Sequence, residues 1–396
     1  MKRILIIIFL FFFLLSTPKA LELPVDITAE SAILINTTDD KIVYTKNADQ
    51  REILASLTKI MTAYAVINNV ENLNTRVTIT EQDVADLAGF TCVGLEAGMV
   101  VTFKDLLYGL MLVSGADAAQ ALAYHTSGSP KAFVELMNEE AAKLDLKNTK
   151  FMDSFGGDDS NVSTAREIGL LLEETLKNPT FKTIFRSNNY TMTNGLVANN
   201  YTRNFAIYHG LDDRLITGNK SGYTPEAGLL LASTTTINNI DYIIVVMKSK
   251  ENEKLTTHVL DTYKIIDYVK NHKYDNRIVL LKNKNLPVVK VKNSTTDIYI
   301  PMIKESVTEF LNEEEMAKVN FKYTLTKEID SNYKKGDNLG YIDILVGDEV
   351  IDTYNVYLED DIFNKSRTNN IALTVLFVLI SGIIFIIFIN LLLLRN

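Results

Sequence analysis

Ser56 and Lys59 are the residues whose types and spacing point most directly to chemistry. They lie three positions apart at the start of an apolar-periodic run, so a helix would place both on one face within a single turn. A serine hydroxyl becomes a good nucleophile when an adjacent base takes its proton. Lysine can be that base once burial or nearby charge has lowered its pKa. The pair therefore predicts acyl transfer through a serine, although the spacing alone also fits a solvated helix face.

Two further elements follow along the chain. Ser114-Gly115-Ala116 closes the apolar stretch 106–113, and Lys220-Ser221-Gly222 precedes the apolar runs 228–233 and 243–247, which are predicted to be buried strands. A lysine on a strand at the edge of a site supplies fixed positive charge for a substrate carboxylate. The glycine after it allows backbone and ligand to approach closely.

With these three elements in this order, the chain resembles the D-alanyl-D-alanine carboxypeptidases, the low-molecular-mass penicillin-binding proteins of peptidase family S11. The resemblance extends over roughly residues 25 to 360. It is carried further by segments that match the family's opening hairpin and the surroundings of its motifs, namely residues 32–47, 94–111, 155–167 and 222–228.

The resemblance implies a role for each motif residue. Ser56 would attack the substrate carbonyl and form an acyl-enzyme, Lys59 would accept the serine proton, and Ser114 would relay a proton toward the leaving D-alanine. The resemblance also implies an oxyanion hole made by the backbone N–H groups of Ser56 and Tyr223. The implied substrate-binding residues are Lys220, Ser221, Gly222 and Tyr223.

The second motif departs from the family pattern. Its third residue is usually asparagine, which offers an amide to the substrate and to the lysine, and here it is Ala116. Asp117 is adjacent, but its side chain is expected to point elsewhere from a helical turn. The leading hypothesis is a penicillin-sensitive carboxypeptidase that removes the terminal D-alanine of peptidoglycan stem peptides, with β-lactams as inhibitors.

Several alternatives remain open at this point. A non-hydrolytic penicillin-binding sensor or wall-binding homologue would also fit Ala116. A β-lactamase, or a structural membrane protein with coincidental motifs, agrees less well with the ordered match. Endopeptidase or transpeptidase activity would use the same acylation chemistry with a different leaving group or acceptor.

Both ends of the chain are apolar. The basic residues Lys2 and Arg3 precede the apolar run 4–15, and a cleavage site is predicted after Ala20, so residues 1–20 are predicted to be a signal peptide, with an uncleaved signal anchor as the alternative. Residues 371–394 form an almost unbroken apolar run, long enough to span a bilayer as a helix. We therefore expect an exported protein that is anchored in the cell membrane with its catalytic domain on the wall side.

The composition excludes several classes of function. The single cysteine, Cys92, rules out an internal disulfide bond, and it is expected to be buried as a small apolar side chain. The four histidines form no metal-ligand spacing, so neither a metal site nor a cofactor is predicted. A net charge of −9 with scattered basic residues disfavours nucleic-acid binding.

Two domains are predicted between the apolar ends. Residues 25–273 mix strands with helical periodicity at 59–70, 104–123, 130–144, 164–176 and 255–271, and the resemblance implies an α+β catalytic domain with an antiparallel sheet flanked by helices. Residues 274–360 instead alternate with period two over short stretches separated by turn signals, which predicts a small all-β sandwich. The predicted transmembrane anchor, 371–394, would follow.

Overall fold

The computed structural model describes residues 25–38, 41–294, 296–362, 373–384 and 386. The chain divides into two compact units between Lys273 and Tyr274. The first unit combines helices with an antiparallel sheet, and the second is built mainly from short strands.

The strands of the first unit are numbered in chain order as β1 (Ser31–Asn36), β2 (Lys41–Lys46), β3 (Glu52–Ile53), β4 (Arg76–Thr78), β5 (Val100–Thr102), β6 (Val162–Ser163), β7 (Asn189–Thr191), β8 (Val197–Asn199), β9 (Gly218–Thr224), β10 (Gly228–Ile237) and β11 (Ile240–Ser249). Its α-helices are α1 (Thr58–Asn69), α2 (Phe103–Tyr108), α3 (Ala116–Ser127), α4 (Pro130–Lys143), α5 (Ala165–Leu176), α6 (Pro179–Phe185), α7 (Thr202–Tyr208) and α8 (Thr257–Asn271). Short 3₁₀ turns lie at Ala55–Leu57, Glu81–Val84 and Asp213–Leu215, and a π-helical turn lies at Gly109–Val113.

The main sheet has five strands in the order β2-β1-β11-β10-β9, and every neighbouring pair is antiparallel. The first strands of the unit thus lie beside its last strands, with Leu34 opposite Ile244. Every residue of β1 is buried because the sheet is covered by helices: α5 packs on β1 and β11, and α8 packs on β10 and β11. This arrangement confirms the predicted α+β domain with an antiparallel sheet flanked by helices.

The hydrophobic core of the first unit lies between the sheet and the helices of the middle of the chain. Ile33 and Ile35 of β1 face this core, and Gly169 of α5 lies so close that a Cβ there would be 2.7 Å from the Ile35 side chain. Alternate residues of a strand point to opposite faces, so α5 packs on the face of β1 that carries Ile33 and Ile35.

One predicted helix is wrong in its extent. The apolar period over 104–123 predicts a continuous helix, but the structure has α2, the π-helical turn, a left-handed Ser114 and then α3. Ser114 has φ of 68° and ψ of 31°, which no right-handed helix can accommodate. The apolar pattern of the sequence does not indicate this break, because the residues on both sides of Ser114 are buried as they would be in one continuous helix.

The second unit contains β12 (Asp275–Leu280), β13 (Val289–Val291), β14 (Ile298–Tyr299), β15 (Val307–Leu311), β16 (Val319–Leu325), β17 (Glu328–Ile329), β18 (Asn338–Val346) and β19 (Glu349–Tyr357), with the short helix α9 (Glu313–Ala317). The strands form sheets in the orders β16-β18-β19, β14-β13-β17 and β12-β15. Buried residues from all three sheets, among them Leu280, Val291 and Ile342, make one apolar core. The predicted small β domain is confirmed.

The predicted transmembrane helix has no support in the structure. Residues 373–384 are helical, which at 1.5 Å per residue extends about 18 Å against about 30 Å for the hydrocarbon of a bilayer. Among the described residues, no helix is both long enough and apolar enough to cross a membrane. The rest of the predicted segment 371–394, apart from residue 386, lies outside the described residues, as does the predicted signal peptide 1–20.

Candidate active site

Ser56 lies in the 3₁₀ turn that leads directly into α1, and Lys59 lies in the first turn of that helix. The three-residue spacing turns both side chains to the same side, and Lys59 Nζ donates a hydrogen bond to Ser56 Oγ at 3.1 Å. Ala55, directly before the serine, has φ of 41°, a left-handed conformation that is costly for a residue with a Cβ. The backbone is therefore bent sharply at the serine, which presents a partly exposed hydroxyl.

Lys59 is only 2% exposed, and its Nζ also donates to the backbone oxygen of Phe155 at 2.6 Å. Burial disfavours the ammonium form and lowers the pKa of Lys59 to about 7, although the carboxylates of Asp153 and Asp117 oppose this shift. A substantial fraction of Lys59 is thus neutral near neutral pH. A neutral amine within hydrogen-bonding distance of a serine hydroxyl can act as its general base.

Ser114 is presented by the break between α2 and α3. The π-helical turn ends at its left-handed backbone, and Gly115 N closes the turn by donating to Gly109 O at 3.1 Å. Strained residues and π-helical turns of this kind are frequent at functional sites. The Ser114 hydroxyl accepts a hydrogen bond from Lys220 Nζ at 3.0 Å, although the two residues are 106 positions apart in the chain.

Lys220 lies on β9, the edge strand of the main sheet, and is 2% exposed. Its Nζ donates to Ser114 Oγ and to the backbone oxygen of Ser221 at 2.6 Å. Burial lowers the pKa of Lys220, and the positive charge of Lys59 lowers it further. Two lysines therefore enter one small region, each with its amine directed at a serine hydroxyl.

The residues that follow Lys220 on β9 lie close to the backbone of Ser56. A Cβ at Gly222 would lie 3.1 Å from the backbone nitrogen of Ser56, so β9 passes close to the serine turn at this point. Ser56, Ser114 and the predicted binding residues Lys220, Ser221, Gly222 and Tyr223 together line one cleft of about 380 Å³. The structure thus brings the predicted catalytic and binding residues of the three motifs into one site, where Lys59 is joined to Ser56 by its hydrogen bond.

Ala116 is completely buried at the start of α3, where its methyl group can offer no hydrogen bond. Asp117, the next residue, accepts hydrogen bonds with its carboxylate from backbone N–H groups of the loop that precedes β5, and its negative charge favours the protonated form of Lys59. These donors are Val93, Gly94 and Leu95, at 2.8, 2.9 and 3.0 Å. Asp117 therefore orders the loop that lies beside the cleft. Cys92, in the same loop, is exposed, so the expectation that it would be buried is wrong.

Sequence reasoning missed His258. It lies on α8, lines the cleft and is 2% exposed. Burial lowers its pKa to about 4, and among the residues that the structure describes its Nδ1 has no hydrogen-bond partner. Lys254, a basic residue shortly before α8, is exposed and does not line the cleft. A single histidine within a helix carries no local signal, because its position in the site depends on how α8 packs on the sheet.

In the described ranges of the chain, no group of three or more His, Cys, Asp or Glu side chains is placed to bind a metal ion. The chemistry available in the cleft is that of hydroxyls, amines, an imidazole, the side-chain amides of Asn200 and Asn219, and backbone amides. These groups suit nucleophilic attack on a carbonyl and binding of an anionic substrate group.

Two family models match the chain. One, described as D-alanyl-D-alanine carboxypeptidase, matches residues 17–251, and the other, described as the C-terminal domain of penicillin-binding protein 5, matches residues 274–363. Among curated proteins, the D-alanyl-D-alanine carboxypeptidase DacF of Bacillus subtilis is 28% identical over 345 residues, which cover 84% of this chain and 85% of that protein. DacA of Haemophilus influenzae is 35% identical over 237 residues, which cover 57% of this chain and 58% of that protein.

Solved structures give the same result. Penicillin-binding protein 5 from Haemophilus influenzae superposes with a TM-score of 0.66 at 25% identity, over 86% of this chain and 99% of that chain. The Streptomyces K15 DD-transpeptidase superposes with a TM-score of 0.56 at 31% identity, over 61% of this chain and 97% of that chain. The motifs, the fold and these similarities agree, and the chain belongs to the D-alanyl-D-alanine carboxypeptidase family of serine hydrolases.

Proposed function

We propose that this protein removes the terminal D-alanine from peptidoglycan stem peptides through an acyl-enzyme on Ser56. The hydrogen bond of 3.1 Å between Lys59 Nζ and Ser56 Oγ carries the proposal, because it joins a nucleophile to a buried amine whose pKa is about 7. Ser56 Oγ bonds to the carbonyl carbon of the penultimate residue while Lys59 takes the hydroxyl proton. The amide C–N bond then breaks, and water later hydrolyses the ester.

Ser114 gives its hydroxyl proton to the leaving amine and takes in exchange the proton that Lys59 accepted from Ser56. Its oxygen accepts from Lys220 Nζ, which leaves the hydroxyl proton directed elsewhere and able to donate. The backbone N–H groups of Ser56 and Tyr223 stabilise the developing oxyanion. The close passage of Gly222 along the backbone nitrogen of Ser56 supports this placement of the two amides.

The carboxylate of the terminal D-alanine binds at the far side of the cleft. Lys220 and the Ser221 hydroxyl are its predicted partners, and His258 adds a ring nitrogen from α8. An anionic ligand would favour the protonated forms of Lys220 and His258, whose burial disfavours them in the free protein. Substrate binding would thus restore the positive charge that burial suppresses.

The first test uses the full-length protein in detergent with diacetyl-Lys-D-Ala-D-Ala and a fluorescent penicillin. Wild type is expected to release D-alanine and to be labelled, and Ser56→Ala is expected to lose both activities. Ser160→Ala, which changes an exposed serine of the same unit, is the matched control and should keep both. Labelling that persists in Ser56→Ala would remove this serine as the nucleophile.

A non-hydrolytic sensor is the second candidate, because Ala116 removes the amide that the family usually places in its second motif. Such a protein would be labelled by penicillin without releasing D-alanine. Restoring the amide with Ala116→Asn is then expected to produce turnover. Measurable release by wild type would exclude the sensor and show that the alanine is tolerated.

We also propose that residues 21–273 and the β domain lie on the outer side of the membrane, with the apolar segment 371–394 as the anchor. The length and composition of that segment support this location. Removal of residues 369–396 is expected to release the penicillin-labelled protein from the membrane fraction of cells. Retention of the truncated protein in that fraction would show that another part of the chain holds it at the membrane, and would contradict residues 371–394 as the sole anchor.

A further inference from the structure

Residues 153–158 form a loop, called here the Asp153 loop, that contacts both the base and the backbone of the nucleophile. The Phe155 oxygen in this loop accepts the hydrogen bond of 2.6 Å from Lys59 Nζ. Gly156 lies so close to the serine turn that a Cβ there would be 1.8 Å from the backbone oxygen of Ala55. The conformation of this loop therefore sets the position of the carbonyl oxygen to which Lys59 Nζ donates.

The Asp153 side chain organises the loop from within. Its Oδ1 accepts from the backbone nitrogens of Phe155 and Gly156 at 2.9 and 2.5 Å, and its Oδ2 accepts from those of Gly157 and Asp158 at 2.9 and 2.7 Å. Hydrogen bonds to an ionised carboxylate are about twice as strong as neutral ones. Four of them on one side chain hold successive peptide units in a single orientation, including the peptide that carries the Phe155 carbonyl.

A second contact ties the loop to the helix of the base. The Thr62 hydroxyl donates to the backbone oxygen of Ser154 at 2.6 Å, and Thr62 is one turn beyond Lys59 on α1. Lys59 and Thr62 thus bind two consecutive carbonyl groups of the loop. These two hydrogen bonds fix the position of the loop relative to α1.

We propose that Asp153 is a positioning residue for acylation, because it holds the Phe155 carbonyl where that oxygen orients the amine of Lys59 toward Ser56. The inference rests on the proposed function of Lys59 as the base. A neutral amine has two N–H bonds and one lone pair. Donating one N–H to Phe155 restricts its rotation and holds the nitrogen 3.1 Å from Ser56 Oγ, where the lone pair can accept the serine proton in place of the N–H that the protonated amine donates. Ala116 has no amide that could do this.

The charge of Asp153 contributes a second, separable effect. The groups that face Lys59 are Asp153 from the loop, Asp117 from α3, Cys92 from the loop before β5, and Lys220 from β9. Of the charges that stabilise the protonated amine, Asp153 is the strongest, so it opposes the lowering of the Lys59 pKa by burial. Neutralising Asp153 should therefore lower the Lys59 pKa further below its value of about 7.

The experiment measures the second-order rate constant for acylation of full-length protein by fluorescent penicillin, from about pH 5 to pH 9. Asp153→Asn keeps the shape of the side chain but presents an NH₂ group to two N–H donors of the loop. Its rate at high pH is expected to fall by about 10²-fold, the effect of a misplaced catalytic group. Its acid limb is expected to move to lower pH.

Two variants separate charge from position. Asp159→Asn removes the same charge from an exposed residue beside the loop, and should keep both the wild-type rate and the wild-type pH profile. Thr62→Val removes the hydrogen bond to Ser154 without changing a charge, so it should lower the rate and leave the acid limb in place.

An Asp153→Asn profile that coincides with that of Asp159→Asn, at an unchanged melting temperature, overturns the proposal. Should Asp153→Asn fail to fold, an unchanged rate in Thr62→Val overturns the positioning of Lys59 by this loop. Release of D-alanine by wild type is measured in parallel. A protein that is acylated without releasing D-alanine contradicts the proposed carboxypeptidase but still tests Asp153.

Discussion

Gly156→Ala is a substitution whose effect can be worked out from the structure. Gly156 has φ of 85°, and a Cβ there would lie 1.8 Å from the backbone oxygen of Ala55 and 2.3 Å from its carbonyl carbon. Ordinary contacts between carbon and a carbonyl oxygen are about 3.3 Å or longer, so the loop and the serine turn would have to separate by roughly 1.5 Å. That displacement acts directly on the peptide before Ser56.

Both stability and rate should respond. Overpacking costs about 1–3 kcal/mol, and a left-handed backbone adds about 1 kcal/mol for a residue with a Cβ, so the free energy of unfolding should fall by about 2–4 kcal/mol. Acylation should slow by about 10²-fold, because a displacement of about 1 Å in a catalytic group has an effect of that size.

Gly195→Ala is the matched control. Gly195 has φ of 90° in the turn between β7 and β8, and no atom lies within 4 Å of the position that a Cβ would take there. It should therefore lose only the backbone cost of about 1 kcal/mol and keep full activity. Urea unfolding and the rate of fluorescent-penicillin labelling measure the two effects. If Gly156→Ala matches Gly195→Ala in both, the reasoning about the close approach is refuted.

Two further predictions concern the lysine base and the buried histidine. The acylation rate should rise with pH through a midpoint near 7, because Lys59 must be neutral to accept the proton. Lys59→Arg should abolish acylation, since the guanidinium group stays protonated. A pH-independent rate, or an active arginine variant, would contradict the role of Lys59 as the base. His258→Phe should raise KM for the D-alanyl-D-alanine peptide by about tenfold, the effect of losing one hydrogen bond to a charged group, with little change in kcat. The melting temperature of this variant should not fall, because within the described part of the chain the Nδ1 atom of His258 has no hydrogen-bond partner to lose. An unchanged KM in steady-state kinetics would argue against carboxylate binding by His258.

The pairing of Ser56 with Lys59 could be predicted because it is local. Side chains three residues apart on a helix lie close together, whatever the rest of the fold is. The apolar period after Lys59 indicated that helix. The β domain was predictable for a similar reason, since alternation with period two depends only on which face of a strand is buried. Neither pattern could indicate which strands pair, such as the parallel pairing of β13 with β17.

The amino-acid sequence alone determined the type of chemistry, the order of the motifs and the two kinds of domain. Tertiary structure decided which distant groups share the site: Lys220 reaches Ser114 across 106 positions, His258 enters from α8, and the Phe155 oxygen meets Lys59 from a loop. It also decided the left-handed break at Ser114 and the low pKa of Lys59. These properties depend on packing and on exclusion of water, which are set by the whole fold and not by local spacing.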